Sequence, residues 1–179
     1  MGEDEVNLQF TYIPRISHEA DFELPENVSK EILRLDGYLK SDLLSGKRKV
    51  LPETIYNLRV ALSSHNSILS VNEIKQYLEE LYDPESGGYK SFRIATSGDN
   101  TSSETNAVPV YVTVPDIVQT YAAVLLLSEI GENLPDKHQT LNFILSCKRK
   151  FGFSRWSDGE DINIISTFAG VMLLKNLSK

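Results

Sequence analysis

The chain has 179 residues, with 18 basic and 25 acidic side chains giving a formal charge of −7, and 41% apolar residues against 24% charged. That length carries one domain with a proper core and excludes two large independent ones, and the composition lies outside the disordered, collagenous and disulfide-rich ranges. The lone cysteine, Cys147, can close no internal disulfide and build no thiolate-rich metal cage, while the acidic balance disfavours phosphate backbones, so no nucleic-acid partner is expected.

Met1-Gly2-Glu3-Asp4-Glu5 lacks the basic region and apolar stretch of a signal peptide, and Val6 stands where a myristoylation signal prefers Ser or Thr. No apolar run nears the roughly 20 residues of a membrane span, so a cytoplasmic chain with no membrane span is expected. Residues 1–27 read as an extended N-terminal arm, β-leaning through Val6-Asn7-Leu8-Gln9-Phe10-Thr11-Tyr12-Ile13 and bounded by Pro14 and Pro25. Residues 28–179 read as a single helical domain. Ile32, Leu35, Leu39 and Leu43 lie on one helical face, and a second helix starts near Pro52 and runs through Ile55, Tyr56, Leu58 and Leu62. Ile74, Tyr77, Leu78 and Leu81 predict a third, stopped by Asp83-Pro84-Glu85-Ser86-Gly87-Gly88-Tyr89.

Residues 90–115 read as an insertion, a flap: a polar run from Ser97 to Asn106 precedes Val108-Pro109-Val110-Tyr111-Val112-Thr113-Val114, which has strand character. Pro115-Asp116 opens a helix from Ile117 to Ile130 that is apolar nearly all round and therefore central. Gly131 ends it, and further helices are expected over Leu141–Cys147 and Ile162–Leu177.

The chain repeats itself. Tyr77-Leu78 and Leu81 precede Gly87-Gly88-Tyr89, and later comes Val118-Gln119-Thr120-Tyr121-Ala122-Ala123-Val124-Leu125-Leu126-Leu127. In the second copy Phe143-Ile144-Leu145 and Cys147 precede Phe151-Gly152-Phe153, and later comes Ile165-Ser166-Thr167-Phe168-Ala169-Gly170-Val171-Met172-Leu173-Leu174. Thr120 and Thr167 are 47 residues apart and Gly88 and Gly152 are 64 apart, so the first copy holds 17 extra residues. The hairpin at 30–67 loosely echoes a third copy.

An outer helix, a Gly-aromatic turn and an inner helix written Thr-Tyr-Ala-Ala-x-x-Leu-Leu resemble the prenyltransferase and squalene-cyclase repeat of the α/α toroids, over roughly residues 70–177. The resemblance implies an all-α fold: a toroid-like array of about three helical hairpins, half a ring, with Ala122, Ala123, Ala169 and Gly170 letting helix backbones approach. A generic hairpin array packed by its own core is the plainer alternative.

Protein prenyltransferases of that family bind zinc through an Asp three residues before, and a Cys one residue before, the inner-helix aromatic of one repeat, and a His three before that of another. Val118 and Thr120, and Ile165 and Thr167, occupy those places here, and His18, His65 and His138 fall elsewhere, as solvated side chains. No metal and no other cofactor is expected. Class II terpene cyclases place Asp-x-Asp-Asp directly ahead of the inner-helix Thr. Asp158-Gly159-Glu160-Asp161 is out of that register, because Asn163-Ile164-Ile165-Ser166 precede Thr167, and it suits capping of the following helix. The Gly-Cys-Gly-Glu-Gln motif of thioester domains is absent, as are a serine elbow, a P-loop and a dinucleotide fingerprint. Cys147 reads as a small packing residue, and no catalytic residue is assigned.

Tyr56, Tyr121, Phe168 and Trp156, with Thr120 and Thr167 beside them, form a candidate cavity wall for an isoprenoid or other apolar small molecule, or else are simply core. The expected function is a noncatalytic binding or assembly module, with a homo-oligomer or larger protein partner completing the ring. The alternative is a divergent prenyltransferase or terpene-cyclase-like enzyme, or one subunit of it.

Overall fold

The computed structural model describes residues 69–94 and 111–178, together with the separate positions Glu26, Lys30, Arg34, Ser41, Pro52, Ile55 and Tyr56, all helical. Apart from Glu26, the expected N-terminal arm lies outside the described residues, as does most of the hairpin at 30–67. Glu26 is already helical and pairs with Lys30 at 2.7 Å, so helix begins before residue 28.

The chain divides into two compact units, residues 1–80 with 122–133 and residues 81–121 with 134–179. In the first, α1 (Val71–Leu81) opens on a capping box: Ser70 Oγ accepts from the Glu73 amide at 3.3 Å, and Glu73 Oε2 accepts from the Ser70 amide at 2.8 Å. Ile74 and Leu78 are buried one turn apart, as the sequence spacing predicts. Lys75 pairs with Glu132 at 2.9 Å. The helix α2 (Ile117–Glu129) gives Ile117–Tyr121 to the second unit and Ala122–Glu129 to the first. Past its end, Gly131 takes φ +74, a left-handed conformation that glycine adopts at little cost.

The second unit starts where Tyr82 bridges Tyr89. β1 (Lys90–Ile94) pairs antiparallel with β2 (Tyr111–Pro115), Lys90 opposite Pro115 and Ile94 opposite Tyr111. α3 (Lys137–Ser146) is capped by Asp136, whose carboxylate accepts from the Gln139 amide at 2.9 Å. Its buried face, Thr140, Phe143, Ile144 and Cys147, recurs every three or four residues. The short strands β3 (Lys148–Arg149) and β4 (Gly152–Phe153) pair antiparallel, and α4 (Ile164–Leu177) follows, capped by Asn163.

The described residues are mostly helical, with two two-stranded sheets: β1 and β2 lie in the insertion expected to lean to β at 90–115, and β3 with β4 corrects the all-α expectation. The expected insertion at 90–115 begins and ends in these paired strands, Lys90 opposite Pro115 and Ile94 opposite Tyr111. Two helix boundaries also move. α3 begins at Lys137 rather than Leu141, where Asp136 supplies the cap, and α4 begins at Ile164 rather than Ile162, because Ile162 bridges Ser154 instead. No helix among the described residues is long and apolar enough to cross a membrane.

Candidate functional site

The candidate site lies where each Gly-aromatic turn meets the start of the helix that follows it, α2 or α4. In the first copy Thr120 Oγ1 accepts from the Tyr89 amide at 2.9 Å and donates to the Asp116 carbonyl at 2.8 Å. In the second, Thr167 Oγ1 accepts from the Phe153 amide at 3.1 Å. Tyr89 and Phe153 are the aromatics that follow Gly88 and Gly152, so the same hydroxyl holds the same amide twice. The helix caps repeat as well, four residues before each threonine. Asp116 Oδ1 accepts from the Val118 and Gln119 amides at 2.8 and 3.3 Å, and Asn163 Oδ1 accepts from the Ser166 amide at 2.8 Å.

The 17 extra residues fall at one place. Lys90 faces Pro115, 25 positions on, where Ser154 bridges Ile162, only 8 positions on. The insertion therefore lengthens the connection between the first turn and α2. Close approach explains the glycines: a side chain on Gly88 would meet Phe143 and Pro115 at 2.9 Å, and Gly87, at φ +83, lies against the backbone of Gln139.

Asp116 is fully buried, and its second oxygen accepts from Arg155 Nε at 2.6 Å. Burial pushes its carboxyl above the ordinary value, while the Arg155 charge and hydrogen bonds and the two helix amides pull the other way. The Arg155 carbonyl also accepts from the Ile117 amide at 3.0 Å, which ties the second turn to the start of α2. Arg149 secures the following loop, donating to the carbonyls of Gly159 at 2.6 Å and Ser157 at 2.8 Å. Neither arginine stood out in the sequence, since each pairs at long range or with backbone carbonyls that carry no side-chain signature. The second cap was missed as well, although the 47-residue offset, which maps Asp116 onto Asn163, is a signal that could have found it.

Of the six candidate wall residues, Tyr121 and Phe168 come together, ring edge to ring face at 5.9 Å. Thr120 is buried and Thr167 half-buried, each hydroxyl directed to its own turn. Trp156 is half-buried with the Arg155 guanidinium 5.4 Å from its ring centre. Tyr56 is half-buried within the first unit. Gly170 corrects the expectation that it admits a helix backbone. A side chain there would strike the Phe153 ring at 2.5 Å, so it admits an aromatic from the turn. The capping role expected of Asp158-Gly159-Glu160-Asp161 belongs to Asn163.

Cys147 is buried at the end of α3, and burial pushes its thiol up to about 11, against weaker pulls from Ser146 and Arg149. It therefore stays a thiol at neutral pH. Among the described residues no three of His, Cys, Asp and Glu converge as a metal-binding group, and His138 lies exposed on α3 with Asn142 beside it. Val118, Thr120, Ile165 and Thr167 do not fit zinc, because aliphatic groups and a hydroxyl already bonded to an amide are not its ligands. No protein-family model and no curated protein matches the sequence.

Proposed function

We propose that the chain is a noncatalytic binding or assembly module on a prenyltransferase-like scaffold, its helical hairpins arranged as about half of an α/α toroid. The observation that supports this reading most is the use made of the polar groups at the inner-helix starts. Thr120, Thr167, Asp116 and Asn163 are engaged in holding turns and capping helices. A proton donor or nucleophile needs a group left available to substrate. What α4 offers to solvent instead is apolar: Phe168 is 49% exposed. Such a surface binds by area and shape, with an apolar molecule or a protein segment as its ligand.

The test is turnover. Purified chain is incubated with farnesyl diphosphate and a thiol-containing peptide, with and without added zinc, and separately with squalene, and products are read by mass spectrometry. No product and substoichiometric zinc after dialysis are expected. Product in either mixture, or one tightly held zinc per chain, overturns the noncatalytic reading and favours a divergent prenyltransferase or cyclase.

A further inference from the structure

The two inner helices carry the same apolar pattern and treat it differently. At the offset of 47, Ile117, Val118, Tyr121 and Val124 correspond to Ile164, Ile165, Phe168 and Val171. The first four are all buried and the second four all exposed, Ile164 at 85% where Ile117 is at 0%. On a helix these positions form one stripe along about two turns. Single exposed apolar residues need no explanation, but an aligned row of four does.

The chain also displays how such a face is covered. The Phe168 ring packs on Tyr121, the Arg155 carbonyl takes the Ile117 amide, and the Arg155 guanidinium meets Asp116. The second copy thus lays its inner-helix aromatic and the end of its turn on the first inner helix. Phe168, half in solvent while it touches Tyr121, is the place where that packing would continue. At the start of this second face Asp116 is replaced by neutral Asn163, and the exposed carboxylates Glu160 and Asp161 lie just ahead of Ile162.

We propose that this stripe docks a helical segment of another protein, one that sets an aromatic or branched aliphatic side chain against Phe168 and carries lysine or arginine to meet Glu160 and Asp161. The proposal rests on the binding-module reading and names the surface and partner chemistry it uses. A second copy is the poorer occupant, because each copy carries −7. The chain's own start is poorer for the same reason, since Glu3-Asp4-Glu5 adjoins its apolar run.

The probe is a labelled amphipathic peptide with Leu and Phe on one helical face and Lys on its flanks, beside a twin with Glu for Lys, and binding is read by fluorescence anisotropy. Saturable binding of one Lys peptide per chain is expected, at least tenfold tighter than the twin. Ile165→Asp and Val171→Asp should each weaken it at least tenfold, while Leu145→Asp, at an exposed position on α3 that is not part of the stripe, leaves it unchanged. Ile164→Ser, at the most exposed position, serves if an aspartate impairs folding, and should weaken binding several-fold. The proposal is overturned by no binding, by equal affinity for the two peptides, or by affinity indifferent to the α4 substitutions. A dimer in light scattering that Val171→Asp dissolves makes a second copy the occupant, and a tenfold gain in affinity on removing residues 1–25 makes the chain's own start the occupant, and either result also overturns it. None of these readouts touches isoprenoid turnover, so the surface can fail while the noncatalytic reading stands.

Discussion

Thr120 and Thr167 hold equivalent amides at different depths, and the depth sets what their loss costs. Thr120→Val keeps the shape and strands a buried Tyr89 amide, a loss of about 1–3 kcal/mol. Thr167→Val should cost less, because its site is half-buried and water can reach it. Urea unfolding of the two variants checks the order, and an equal or reversed loss contradicts it. Asp116 and Arg155 form a pair of unequal exposure, the arginine side chain 39% exposed and the aspartate not at all. Removing one partner of a buried pair costs about 3–5 kcal/mol, and solvent screening of the arginine places Arg155→Ala at or below the low end. Asp116→Asn in that background should recover most of the loss, since Asn163 caps its helix without a charge. Urea midpoints of the single and double variants measure the recovery. Cys147 supplies the pH dependence. Its folded value of about 11 lies above the ordinary 9.0, so its contribution to stability is full below about pH 9 and fades as pH rises through 11. Iodoacetamide should label the native protein far more slowly at pH 8 than the urea-unfolded chain, with the native rate climbing toward pH 11.

The helices were legible in the sequence because burial recurs at their own period, as at Ile74 and Leu78 or Phe143, Ile144 and Cys147. The strands β3 and β4 were not, because two residues each give alternation nothing to act on. Nor was the contrast between α2 and α4: their apolar patterns match position for position, and exposure depends on what packs against them. Gly170 illustrates the same limit, since small residues signal a close approach without naming what approaches. Gly170→Ala should drive the Phe153 ring from its place and cost about 1–3 kcal/mol by overpacking. Combined with Phe153→Leu, the penalty should be smaller than the two single losses added together, because the residues share one space. A double-mutant cycle in urea reads that coupling, and simple additivity contradicts it.

At the scale of the molecule, the repeat is a rule with one large exception. The same threonine, cap and glycine-aromatic pair recur; the turn is slightly longer in the first copy, Tyr82 to Tyr89 against Lys148 to Phe153, and the connection from turn to helix is longer by 17 residues. Excising residues 94–110 gives the first copy the spacing of the second. Because closure entropy changes slowly with loop length, the melting temperature should fall by no more than about 4 °C. Loss of cooperative melting would show that the hairpin belongs to the core and is no insertion. The repeat itself was readable from residue order, whereas which of its matching apolar positions close into core and which stay open on α4 is decided by what packs against them.

Arg149 suggests why the exception sits in one copy only. It follows Lys148, the bridge partner of Phe153, as Asp83 follows Tyr82, the bridge partner of Tyr89. Where the arginine grips the carbonyls of Ser157 and Gly159, the strap after the turn is riveted at a fixed size. Among the described residues the Asp83 side chain reaches Lys90, at 3.6 Å, and the amide of Ser86, leaving its own strap free to be let out. An epitope or fluorescent tag spliced into this protein is best carried by the first strap, and a tag in the second should be tolerated only after the rivet is cut.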